Sequence, residues 1–127
     1  MSNVPADLSY TKEHEWVKKS DEKRYKVGIT DYAQGALGDI VYIQLPKVGD
    51  VVTQGRVCGE VESTKSVSEI YAPISGIVIA VNNGLDTNPE VMNSDPYVSG
   101  WIFEVEIADE NQLASLLSAE DYRSLTA

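Results

Sequence analysis

The chain of 127 residues carries 10 Lys and Arg against 20 Asp and Glu, a net charge of −10. With no basic patch to neutralise phosphates, nucleic acid is excluded as a partner, and an anionic membrane surface equally. One Cys and one His rule out an intrachain disulfide and a zinc site. The length fits a single domain over residues 1–127, and the 43% hydrophobic fraction supplies a modest core.

No run of 18 apolar residues occurs, so no membrane-spanning helix is expected. The first ten residues, MSNVPADLSY, show neither an apolar signal core nor an Arg-rich amphipathic stretch. A cytoplasmic, prokaryotic protein is the expectation, with a monomer as the default.

Residues 1–8 read as an arm with little structure. Residues 14–18 (HEWVK) and 25–29 (YKVGI) read as strands joined by a polar turn at 20–23, with Trp16 as a core anchor. His14 has no nucleophile and acid arranged around it and is expected to be structural. Thr30 is a plausible N-cap for a short helix closing near Gly38. Residues 39–45 (DIVYIQL) form a β-branched strand, 46–50 a turn, and 51–53 a continuation of the sheet.

Residues 57–63 then alternate Val57, Gly59 and Val61 with Cys58, Glu60 and Glu62, the period of a half-buried strand. Cys58 is expected to be packed rather than reactive. Residues 67–74, rich in β-branched and aromatic side chains, form the return. Between them Ser63, Thr64, Lys65 and Ser66 suit a tight turn. Lys65 should therefore stand at a hairpin tip, pointing into water.

Residues 76–81 (GIVIAV) form a further strand, 82–89 and 93–100 are loops, and 101–107 (WIFEVEI) is the last strand. LPKVGDVV before the hairpin and APISGIVI after it share a faint repeat. Asp109 can cap a helix running to about Leu117. A second short helix follows, with Tyr122 and Leu125 facing inward, and the two are expected to cover an open sheet end. The fold class is mainly β, with seven to nine strands in two antiparallel layers and short helices.

Between Val57 and Tyr122 the only basic residue is Lys65, against twelve acids. A long, flexible primary amine on an isolated turn is suited to covalent attachment. No pair of carboxylates and no Gly-rich phosphate loop marks an active site, so the chain reads as no enzyme.

ESTKS within GEVESTKSVSEIYAPISG (59–76), together with YTKEHEW (10–16), VGITDYAQGALGDIVYIQLPKVGD (27–50) and DPYVSGWIFEVEI (95–107), resembles the glycine cleavage H-protein family of lipoyl carriers. The likeness runs from about Leu8 to Tyr122. It implies the flattened barrel-sandwich of lipoyl and biotinyl domains, with C-terminal helices. It also implies lipoate held by an amide bond at Lys65.

The implied partners are a pyridoxal-phosphate glycine decarboxylase (P protein), a folate-dependent aminomethyltransferase (T protein) and a dihydrolipoyl dehydrogenase (L protein). Between the first two the arm would shuttle the aminomethyl group of glycine, and the third would reoxidise it. A lipoyl ligase or octanoyl transferase would attach it. The resemblance further marks Glu62, three residues before the lysine, and Gly76, eleven after it, as features that modifying enzymes read. Gly76 has an independent reading as a turn residue with positive φ. A protective cleft for the loaded arm would draw on carboxylates among Glu13, Glu15 and Glu69.

Three alternatives stand beside this. A biotinyl carrier would normally flank its lysine with methionines, and here the neighbours are Thr64 and Ser66. The lipoyl domain of a 2-oxoacid dehydrogenase acyltransferase would lack the YTKEHEW and WIFEVEI segments. A non-catalytic binding module would leave Lys65 unmodified.

Overall fold

The computed structural model describes residues 3–126. The N-terminal half contains β1 (Ser9–Tyr10), β2 (Glu15–Asp21), β3 (Arg24–Ile29), helix α1 (Asp31–Leu37), β4 (Ile40–Gln44) and β5 (Val51–Val52). The hairpin β6 (Val57–Ser63) and β7 (Val67–Tyr71) follows, then β8 (Gly76–Val81). Two single-turn helices, α2 (Gly84–Thr87) and α3 (Val91–Ser94), lead to β9 (Phe103–Glu106), a 3-10 helix (Glu110–Ser115) and α4 (Ala119–Thr126).

The strands form two antiparallel sheets, one of six strands in the order β1-β2-β3-β9-β8-β5 and one of three in the order β4-β6-β7. The expected two-layer β architecture is what the chain adopts. Between the layers lies the main core, with Val27, Phe103, Val105 and Val78 from the larger sheet and Ile43, Val61 and Ile70 from the smaller. The faint repeat has a spatial counterpart: β5 and β8, one from each copy, pair through Val51 with Ile77 and Val52 with Gly76.

A second, smaller core lies on the other face of β1 and β2. It joins Val4, Leu8, Tyr10 and Trp16 to Ala119 and Tyr122. The Tyr10 and Tyr122 rings stack with centroids 4.7 Å apart. Residues 3–8 of the expected N-terminal arm form no helix or strand, and Val4 and Leu8 are nonetheless buried in this cluster with Ala119 and Tyr122. Residues 1 and 2 of that expected arm, and residue 127, lie outside the described residues.

The C-terminus also departs from expectation. Asp109 caps as expected, accepting the Asn111 N–H at 2.9 Å, but the helix is 3-10 and ends at Ser115. Gln112 exchanges side-chain bonds with the Ser75 backbone, accepting its N–H at 2.6 Å and donating to its carbonyl at 3.0 Å. Leu117 instead pairs with Tyr10, donating and accepting one backbone bond at 2.7 and 2.8 Å. The open end of the larger sheet is thus closed by main chain. In α4, Tyr122 is buried as expected, whereas Leu125 is half-exposed. Residues 93–100 are not all loop, since α3 occupies Val91–Ser94 and buries Met92.

Candidate functional site

The β6–β7 hairpin projects from the smaller sheet, and its turn is built from the serine side chain. The Ser63 hydroxyl accepts the N–H groups of Lys65 (3.2 Å) and Ser66 (3.1 Å), and the Ser63 N–H donates to the Ser66 carbonyl at 2.8 Å. Among the described residues only His14 and Lys23 are non-glycine with positive φ. Thr64 and Lys65 therefore turn the chain without the left-handed conformations of the common two-residue hairpins. The hydroxyl supplies the closure that glycines would otherwise provide.

Lys65 is exposed, as expected, but its stem does not stand free in water. It lies across Gly38, the residue closing α1. A Cβ added there would meet Lys65 Cε at 2.8 Å, and Gly38 itself has φ +81°. The positive φ favours glycine at this position, whereas the lysine stem could move aside for a side chain. The Thr64 N–H donates to the Asp39 carbonyl at 3.0 Å, tying the tip to the same backbone. The one ion pair among the described residues joins Arg24 to Glu106, so no carboxylate lies within ion-pair distance of the Lys65 amine.

Glu62 sits in the central strand of the smaller sheet, paired with Tyr42 of β4 and Val67 of β7. Tyr42 and Val67 are exposed, and Glu62 is half-buried between them. Glu60 and Glu69 face each other directly in the next row, a like-charge pair that cross-strand packing disfavours.

Gly76 does not have positive φ, which corrects the turn reading. It opens β8, and a Cβ there would collide with the Glu106 carbonyl oxygen and approach Val105 Cγ2 at 2.7 Å. Its need for glycine comes from the close passage of β9, not from a left-handed turn.

The three candidate cleft carboxylates occupy different settings. Glu13 is exposed and lines a small cavity with Thr11, Gln54, Pro73 and Leu116. Glu69 is exposed on β7. Glu15 is buried, and its carboxylate accepts the Thr11 hydroxyl at 2.5 Å and the Tyr71 N–H at 3.3 Å. It thus reaches from β2 to the base of the lysine hairpin. Burial raises its pKa from the ordinary 4.5 to about 7, against the lowering effect of those two bonds.

Burial likewise pushes the Cys58 thiol up to about 12, with Glu15 adding to the rise, so the packed, unreactive reading of Cys58 fits. His14 is not in a strand. It precedes β2 with φ +71°, and its Nδ1 lies 2.7 Å from the Tyr122 hydroxyl, itself 2.7 Å from the Thr30 hydroxyl. Thr30 caps α1 by accepting the Ala33 N–H at 3.2 Å. Burial lowers the His14 pKa, consistent with a structural imidazole.

Sequence reasoning missed Asn93, whose amide bonds to both ends of the backbone beneath Lys65. It accepts the Ile40 N–H at 2.9 Å and donates to the Gly38 carbonyl at 2.8 Å and the Gln34 side chain at 2.9 Å. These partners lie 53 to 59 residues away, so no local pattern could reveal them.

Together, these features describe a carrier-type protein, with an accessible amine on a braced hairpin. Residues 8–127 match the family model described as glycine cleavage H-protein. A glycine cleavage system H protein from Mycolicibacterium vanbaalenii is 58% identical over 130 residues, covering 100% of this chain and 99% of the relative. One from Mycobacterium bovis is 55% identical, covering 97% and 96%. A crystal structure of a glycine cleavage system H protein from Mycobacterium marinum superposes with TM-score 0.84 at 40% identity, covering 97% of this chain and 98% of that one. The chain belongs to the glycine cleavage H-protein family. No helix among the described residues is long and apolar enough to cross a membrane.

Proposed function

We propose that the chain is a single-domain lipoyl carrier of the glycine cleavage system, with lipoate attached through an amide to Lys65. The observation carrying this is the placement of Lys65: exposed, free of ion pairing, and the only basic residue from Val57 to Tyr122. A carboxylic acid cofactor needs one accessible amine on a rigid support, and the Ser63-closed turn on Gly38 is such a support. When bound, the dithiolane accepts the aminomethyl unit of glycine and cycles between disulfide and dithiol.

The chain's own residues do the rest. The turn keeps the amine exposed at the tip, with its stem against Gly38. Glu62, between Tyr42 and Val67 and three residues before the lysine, gives a lipoyl ligase or octanoyl transferase a charged landmark. Gly76 acts through packing, since β9 leaves its strand no room for a side chain. The acidic surface suits basic docking faces on the glycine decarboxylase, the aminomethyltransferase and dihydrolipoyl dehydrogenase. For the loaded arm, the exposed Glu13 and Glu69 are the carboxylates able to pair with an ammonium group, while Glu15 is buried beneath the hairpin base and occupied by Thr11 and Tyr71. The protein is read as a cytoplasmic monomer.

The test is intact mass of protein purified from its native source, beside a Lys65→Arg variant. A lipoyl adduct on the unaltered chain only, with stability changed by no more than about 0.5 kcal/mol, is the expected result. A biotinyl adduct, or glycine cleavage sustained by Lys65→Arg, would overturn the proposal.

A further inference from the structure

We infer that Asn93 is a positioning residue for the attachment lysine, acting through the backbone of residues 38–40. This rests on Lys65 being the attachment site and adds the device that aims it. Asn93 lies on α3, a single turn of helix with no contact to the lysine in any hydrogen bond. Its amide brackets Asp39: the carbonyl side takes the Ile40 N–H, and the NH2 group gives to the Gly38 carbonyl. This imitates the paired bonds of a neighbouring β-strand, supplied by one side chain. The second amide proton goes to Gln34, so helix α1 is held in the same grip.

The opposite side of the bracketed segment carries the hairpin. The Asp39 carbonyl accepts the Thr64 N–H, and Gly38 provides the surface on which the Lys65 stem lies. Residues 38–40 are therefore clamped between Asn93 and the hairpin tip. Without the amide, the Gly38 carbonyl and Ile40 N–H lose partners beside a glycine, the residue with the least restricted backbone, and the segment is free to move. The lysine would keep its exposure and its chemistry but lose its fixed direction. Enzymes that must seat one amine in an active-site channel discriminate by such pre-set geometry.

The experiment compares the unaltered full-length chain, Asn93→Ala, Asn93→Asp and Gln112→Ala, all without lipoate. Gln112→Ala removes two side-chain bonds to the Ser75 backbone, on elements with no bond to residues 38–40, and serves as the stability control. Amide hydrogen exchange is read at Thr64, and lipoylation kinetics are measured with a lipoate ligase, ATP and lipoate. In Asn93→Ala, exchange at Thr64 should quicken about tenfold, the equivalent of losing one net hydrogen bond. KM for the carrier should rise severalfold while kcat is retained. Asn93→Asp, which can accept from Ile40 but cannot donate to Gly38, should behave the same way.

Equal exchange and equal KM in Asn93→Ala and Gln112→Ala would overturn the inference and leave Asn93 a stabilising residue only. If the unaltered chain takes no lipoate, the carrier reading fails instead. The Thr64 exchange then still decides whether Asn93 holds the hairpin.

Discussion

Glu15 offers a quantitative test of how the hairpin base is built. The residue is 2% exposed, and burial raises its pKa from 4.5 to about 7. At about 1.4 kcal/mol for each tenfold change in proton affinity, that is a difference of about 3 kcal/mol between folded and unfolded chains. The folded state holds the proton more tightly, so the stability is fully present below about pH 4.5. It is lost progressively as pH rises through 7, where the unfolded chain has already ionised and the folded chain must hold a buried charge.

Glu15→Gln keeps the shape and can still accept the Tyr71 N–H, but it cannot ionise. Urea unfolding followed by tryptophan fluorescence, at about pH 5 and about pH 8, should show the unaltered chain losing roughly 2 to 3 kcal/mol more than the variant across that interval. The comparison cancels the general repulsion among the other acids, which both proteins share. Equal pH slopes would refute the claim that this carboxylate is buried and held near neutrality by its surroundings.

Further outcomes follow from other positions. Glu62→Ala should slow lipoylation while shifting the melting temperature little, because the carboxylate lies on the outer face; a collapse of stability with normal modification of the folded fraction would reverse that reading. Gly76→Ala should cost about 2 kcal/mol or more in chemical denaturation, because β9 leaves no room for a methyl group. Unaltered stability with failed lipoylation would instead make Gly76 a recognition feature. For the loaded carrier kept without transferase, Glu13→Gln and Glu69→Gln should shorten its lifetime, and Glu15→Gln should change it least, because that carboxyl is buried against Thr11 and Tyr71; unchanged lifetimes in all three and in the double Glu15/Glu69 variant would exclude carboxylate protection.

The lysine hairpin is legible in the sequence because its information is local: two runs of period 2 around four small polar residues. The N-cap at Thr30 and the buried Trp16 are legible for the same reason. Glu15 is not. Alternation alone makes it the partner of Trp16 on the opposite side of a strand, and one side of an outer strand is ordinarily wet. Here β2 is covered twice, by the main core over Val17 and by the α4 cluster over Trp16, so both faces are dry. That second layer depends on the far C-terminus folding back, a contact of high sequence separation. The same holds for Val4 and Leu8, whose apolar character is too sparse to announce a core. Gly76 is misread because a glycine required by a neighbouring strand looks, in sequence, like one required by a turn.

The smaller sheet has an outer strand that cannot be roofed over. β7 is the last strand of its sheet, and it leads directly from Lys65, which the proposed attachment of lipoate requires to stay accessible. The larger sheet shields β1 with the main chain at Leu117, but any comparable strip laid along β7 would block the tip. An uncovered strand margin invites a second copy to add on, and chains of such additions grow into fibrils. Here the margin is guarded by charge: Glu69 projects from it beside Glu60, and the Glu15 carboxylate occupies the Tyr71 N–H. The unfavourable pairing of two like charges across the strands thus has a use, because it makes the same strip more repellent to another molecule of its kind. Like charges along such a flank oppose the approach of a second copy, and neutralising Glu60 and Glu69 together should promote self-association, read by light scattering.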